Sequence, residues 1–213
     1  MEFKSFSAGF EAYGNGGGDG IIDKEEADRR KKADEDGITN VNFQDDKFWQ
    51  QWKGTDTSNE EYLEKVINIL AVCHTIVPNQ SSDGKLSYNA SSPDELALTN
   101  AARYFGYVFE DRDSSNKIIV KNQHNGQEMK YELLNVIEFT SLRKRMSVIV
   151  RTSDDKILCM TKGADSIILP RLHSGQEELI KKTSKLLDEY ANQGLRTLLL
   201  AQREIEPNFY AQW

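Results

Sequence analysis

The chain has 213 residues, 38% hydrophobic and 29% charged, ordinary usage that excludes collagen-like, coiled-coil and wholly disordered classes. Its length lies between one domain and two, so one domain with an extension is expected, burying roughly 70% of its unfolded surface. With 27 basic residues against 34 acidic ones the formal charge is -7, which argues against nucleic acid as a partner of the surface at large. The cysteines Cys73 and Cys159 form no CxxC pair, pointing to a reducing compartment and away from zinc. No run approaches the length of a membrane-spanning helix, and residues 1 to 20 lack the pattern of a signal peptide.

Residues 1–13 read as an extended opening segment. After them, 14–40 reads as a flexible insertion, Gly-rich at first and then almost wholly charged from Asp23 to Asp36, with little apolar surface to offset ordering entropy. Residues 41–213 form the expected main body. It begins with an aromatic segment, Phe43 to Trp52. A helix follows, with Ser58 as N-cap, Glu61 at its third position, and Tyr62, Val66, Ile69, Leu70 and Cys73 on one face. Lys85–Ala90 reads as a strand. Ser92-Pro93-Asp94-Glu95 opens a helix that runs to about Tyr104 and stops at Gly106.

Beyond Gly106 the period changes to that of strands: Tyr107–Phe109, Lys117–Lys121, Met129–Phe139, Met146–Arg151 and Ile157–Thr161. Asn125-Gly126 and Ser153-Asp154-Asp155 supply hairpin turns between antiparallel neighbours. Ser174 with Glu177 predicts the cap of a long helix, Leu179–Asn192, which Gly194 ends, and Leu195–Ile205 reads as a last strand. The predicted fold is α+β, an antiparallel sheet of about six to seven strands flanked by helices.

Neither a P-loop nor a dinucleotide fingerprint is present. Asn15 to Glu26 echoes a calcium loop, but Asn15 replaces the charged first ligand and Gly17 offers no side-chain oxygen at the third, so a flexible acidic loop is favoured. A calcium-responsive or other regulatory binding module is the alternative function. Ser92 to Glu95 is first of all a capping box, and His74 reads as a packed, hydrogen-bonded histidine. Arg143-Lys144-Arg145 follows Phe139 closely, an aromatic ring beside cations of the kind a purine and its phosphates need. Lys162-Gly163-Ala164-Asp165 ends a strand with a cation and a residue that allows close backbone approach.

Taken together, Cys73-His-Thr-Ile-Val-Pro78, Ser92-Pro-Asp-Glu95, Phe139-Thr-Ser-Leu-Arg-Lys-Arg-Met-Ser-Val148, Lys162-Gly-Ala-Asp165 and Gly194-Leu-Arg-Thr-Leu198 resemble, in order and spacing, the nucleotide-binding domain of P-type ATPases. Within that family they are most similar to the phospholipid flippase (P4) branch. The resemblance implies an ATP site: Phe139 stacked on adenine, Glu95 at its amino edge beside a continuing helix-capping role, Lys162 and Gly163 lining the pocket, Ser141 and Lys144 beside the nucleotide, and Arg196 reaching toward the phosphates. Mg2+ would accompany ATP, held mainly by a neighbouring domain, and no residue of this chain is expected to ligate a metal.

The family's Asp-Lys-Thr-Gly-Thr motif is absent: the Asp-Lys pairs at Asp23, Asp46 and Asp155 continue with Glu, Phe and Ile. The resemblance therefore implies a soluble domain excised from the cytosolic face of a membrane protein, binding ATP without turning it over. Its implied partners are the phosphorylation and actuator domains of the parent and an accessory subunit, with phospholipid met only through membrane segments outside this sequence. ATP affinity is expected to be weak, on the order of 0.1 to 3 mM.

Overall fold

The computed structural model describes residues 1–14, 24–81 and 84–213. The chain divides into two compact units, Met1–Asp111 with Ile119–Glu128, and Arg112–Ile118 with Met129–Trp213. The division falls inside the main body expected over 41–213.

The first unit opens with a hairpin of β1 (Phe6–Ala8) and β2 (Glu11–Tyr13), which pairs Phe6 with Tyr13. Just before it, the Phe3 N–H donates to the Asn40 carbonyl and the Phe3 carbonyl accepts from the Asn42 N–H, both at 2.8 Å. The residues on either side of the charged stretch therefore lie side by side. Gly14 is fixed here by sterics: its φ is +75° and a Cβ would overlap the Lys4 carbonyl and the Phe43 ring. The helices α1 (Lys24–Glu35), α2 (Asp46–Gln51), α3 (Glu60–Val72) and α4 (Pro93–Tyr104) follow, with a hairpin of β3 (Val77–Gln80) and β4 (Leu86–Asn89) between the last two. The core is largely aromatic. Phe6, Phe43 and Phe48 ring Phe105 at centroid distances of 5.8, 4.9 and 4.6 Å, and the Trp52 Nε1–H donates to the Phe105 carbonyl at 2.8 Å. Each ring contributes about 1.5–3 kcal/mol by leaving water. Of the face read for α3, Ile69, Leu70 and Cys73 are buried, but Tyr62 is exposed and Val66 half-buried, and Leu63 and Ile67 are buried in their place.

A six-stranded antiparallel sheet has the order β10-β9-β8-β7-β6-β5, formed by β5 (Tyr107–Arg112), β6 (Lys117–Asn122), β7 (Glu128–Ile137), β8 (Arg145–Arg151), β9 (Ile157–Gly163) and β10 (Leu199–Ile205). The short helix α5 (Asp165–Ile168), a 3-10 turn at Leu169–Arg171 and the long helix α6 (Glu177–Asn192) lie between β9 and β10, and α7 (Pro207–Gln212) follows. The α+β class and the antiparallel sheet are as predicted. Asn125-Gly126 and Ser153–Asp155 both form turns, with Gly126 at φ +72° and Asp155 at +65°.

Four further expectations are corrected. The α3 N-cap is Asn59, not Ser58, and its side chain makes no capping bond, because the Nδ2 instead donates to the Ala8 carbonyl (3.0 Å) and the Tyr13 hydroxyl (2.6 Å). Ser174 does not cap α6 either: Gln176 holds that position, and the Glu177 carboxylate turns back to accept from the Gly175 N–H at 2.9 Å. Strand β10 begins at Leu199 rather than Leu195, since Leu199 already pairs with Gly163, the last residue of β9. Lastly, residues 24–35 of the charged stretch are helical. Glu26, 1% exposed, accepts from the Arg29 Nε (3.1 Å) and Arg30 Nε (2.8 Å), while the Arg29 guanidinium lies 4.8 Å from the Trp49 ring centroid. These ion pairs, the cation–π contact and the buried Ala33 tie the helix to its surroundings.

Candidate functional site

In the second unit, alternation along β8, β9 and β10 sets Lys162 opposite Met146 and Leu200, and Gly163 opposite Arg145 and Leu199. Lys162 is only 7% exposed, and beside it the Ser147 and Thr161 hydroxyls meet at 2.8 Å. A lysine is rarely buried to this extent without a polar purpose. Gly163 has a steric role that differs from the one expected. A Cβ there would lie 2.5 Å from Arg145 Cβ and 2.8 Å from the Lys144 carbonyl, so the close approach it permits is that of the preceding loop. The Ala164 N–H completes the junction by donating to the Lys144 carbonyl at 3.0 Å.

That loop, 138–144, joins β7 to β8. Lys144 sits at φ +50°, a left-handed conformation that a non-glycine residue adopts at some cost, and its N–H donates to the Thr140 carbonyl at 2.7 Å. The Thr140 hydroxyl accepts from the Arg143 N–H at 3.1 Å. With the backbone so engaged, Phe139 and Leu142 project outward, 61% and 93% exposed, and Ser141 and Lys144 are exposed beside them. An apolar ring open to solvent on a tightly bonded loop is a ready stacking surface.

The structure thus brings Phe139, Ser141 and Lys144 onto one loop and fastens its end to Gly163, next to Lys162. Arg196 is exposed in the segment before β10. That segment leaves α6 through a Schellman motif, in which the Gly194 N–H donates to the Ala191 carbonyl (2.9 Å) and the Leu195 N–H to the Tyr190 carbonyl (3.0 Å). Glu95 belongs to the first unit. It occupies the first turn of α4, where Ser92 accepts from the Asp94 N–H at 3.3 Å and Pro93 opens the helix as predicted. Glu95 is itself buried, and its Oε2 accepts from the Thr75 hydroxyl at 2.8 Å.

Sequence reasoning missed the Thr75 contact to Glu95 and misread the role of Arg143. Thr75 lay in plain view next to His74 without a periodic signal to mark it. Arg143 was read as one of several cations converging on phosphate, but its guanidinium turns inward to backbone carbonyls. Burial, then Arg143 and Arg171 nearby, lowers the Arg145 pKa, though not so far that an arginine loses its charge. His74 is packed as expected: the Ile76 N–H donates to its Nδ1 at 3.2 Å, which makes Nε2 the protonated nitrogen donating to the Ala71 carbonyl at 2.8 Å. Of the calcium-loop echo, Asn15 to Asp23 lie outside the described residues, and Glu26 at its twelfth position is engaged by two guanidinium groups. No group of three or more His, Cys, Asp or Glu side chains among the described residues is placed to hold a metal ion, and no described helix is long and apolar enough to cross a membrane.

These features coincide with a known protein class: residues 62–212 match the family described as P-type ATPase, cytoplasmic domain N. The chain belongs to that family. It is 38% identical over its whole length to phospholipid-transporting ATPase DRS2 of Saccharomyces cerevisiae. It is 43% identical over 83% of its length to probable phospholipid-transporting ATPase 7 of Arabidopsis thaliana, and 42% over 72% to phospholipid-transporting ATPase ID of Homo sapiens. The chain spans 15%, 14% and 12% of the lengths of these relatives, respectively.

Proposed function

We propose that this chain binds ATP as the N domain of a phospholipid-transporting P-type ATPase and presents the γ-phosphate to an aspartate on another domain of the parent. The observation that carries the reading is the juxtaposition in the second unit of an exposed Phe139 on a rigid loop with the buried Lys162 to whose strand end that loop is bonded. Phe139 offers a flat apolar face to the adenine. Lys162 and Lys144 supply positive charge for phosphate, and that of the buried Lys162 acts more strongly than it would in bulk water. Ser141 offers a hydroxyl beside the base, Gly163 keeps the loop seated, and Arg196 reaches the phosphates.

On this reading the chain binds and orients but does not itself hydrolyse. Magnesium arrives with ATP and is held chiefly by groups on other domains, where transfer to the aspartate carboxylate forms the aspartyl phosphate that drives lipid movement in the parent. Those domains, and any accessory subunit, are its partners at the cytosolic face of the membrane. An amide NMR titration with ATP tests the proposal. Saturable shifts around Phe139 and Lys162, with a Kd on the order of 0.1 to 3 mM that rises at least tenfold in Lys162→Ala, are expected. Absence of shifts at millimolar ATP would sink it.

A further inference from the structure

Arg143 is not among the residues assigned to the nucleotide, yet its geometry ties together the loop that carries Phe139. Its Nη1 lies 3.1 Å from the Ile137 carbonyl, 2.8 Å from that of Glu138 and 3.1 Å from that of Arg145. These are the last residue of β7, the first residue of the loop and the first residue of β8, so one guanidinium nitrogen spans both strand ends. Arg145 returns the contact, its Nη1 donating to the Arg143 carbonyl at 3.1 Å. Without this clamp, three backbone acceptors at the base of the loop would have to find water or move apart. The Glu138 carbonyl immediately precedes Phe139, and its orientation fixes the backbone from which the ring projects.

We propose that Arg143 is a positioning residue for ligand stacking: it acts through Phe139 by clamping the loop base and makes no contact with phosphate. The inference rests on the nucleotide reading above and adds to it a cation whose role is structural rather than electrostatic. Lysine cannot take its place, since its ammonium ends one bond short of Nη1, the nitrogen that meets all three carbonyls. The stacked ring loses affinity when its backbone wanders, because loop ordering must then be supplied at the moment of binding.

The test is a double-mutant cycle on the whole chain, with ATP and inorganic triphosphate as separate probes. Arg143→Lys keeps the charge and should weaken ATP binding about tenfold while leaving triphosphate binding unchanged, and amide exchange of residues 138–144 should quicken. In a Phe139→Ala background the same substitution should add nothing, as expected when one residue acts only through the other. Arg143→Gln, whose amide nitrogen ends two bonds short of Nη1 and which carries no charge, should weaken ATP binding and quicken exchange at least as much, again with triphosphate binding unchanged. Full additivity of the two substitutions, or an equal loss for triphosphate, would show Arg143 touching phosphate directly and overturn the inference. Unchanged ATP binding in folded Arg143→Lys would overturn it too. Failure of the unsubstituted chain to bind ATP would remove the nucleotide reading itself and this role with it.

Discussion

The first unit buries a cluster of aromatic rings, with Phe48 0% exposed amid Phe6, Phe43 and Phe105, whereas the second unit holds Phe139 at 61% exposure at the tip of a braced loop. The residue type is the same, and its surroundings are opposite. Phe48 is held by other side chains and returns stability to the fold through the surface it removes from water. Phe139 sits between bonded neighbours, the Thr140 carbonyl accepting from the Lys144 N–H and the Glu138 carbonyl from the Arg143 guanidinium, and most of its ring is open to something outside the chain. An exposed aromatic gains meaning from the rigidity of what carries it; on a slack loop it would be no more than a sticky surface.

The sharpest contrast should come from Phe48→Ala, expected to cost about 3–5 kcal/mol in urea unfolding, since the four-ring cluster cannot collapse into the space it leaves. A midpoint within error of the parent would mean that the cluster does not hold the first unit together. Gly163→Ala should cost about 1–3 kcal/mol by forcing the added methyl against Arg145 and the Lys144 carbonyl, and should displace the NMR resonances of residues 140–145. If those resonances stay in place, the loop is not seated on β9 as described. Ser92→Ala, which removes the acceptor for the Asp94 N–H at the start of α4, should cost about 1 kcal/mol. Smallest of all, Phe139→Ala should change stability by less than about 0.5 kcal/mol, because so little of the ring is buried. Its effect belongs to the ATP titration, and a destabilisation approaching that of Phe48→Ala would erase the contrast.

Where local chemistry alone decides an element, the sequence was a sufficient guide. Ser92-Pro93 opened α4, Asn125-Gly126 and Asp155 turned the hairpins, and Gly194 ended α6, each through a backbone requirement set within a few residues. Elements whose partners lie far away were misread. Asn59 displaced Ser58 at the start of α3 because its amide is claimed by Ala8 and Tyr13, some fifty residues earlier in the chain. The helix at 24–35 is supported by Trp49 and Tyr104, which no window around Glu26 contains. In the second unit, Lys162 and Phe139 stood out through the family resemblance, and the fold supplied the burial of Lys162. The inward turn of Arg143 was illegible, since a run of three cations does not reveal which one faces carbonyls and which one faces solvent.

The order of the large sheet has a kinetic side. Every strand pairs with its neighbour in sequence, yet most links are short turns, while β9 and β10 are separated by α5, the 3-10 turn and α6. Closing that long connection carries the largest loop entropy in the sheet, so β10 should be the last strand to dock in refolding and the first to detach under load. Pulled from its C-terminal end, the chain should shed α7 and β10 as an early step, leaving the β7–β8–β9 meander that carries Phe139 and Lys162 still folded.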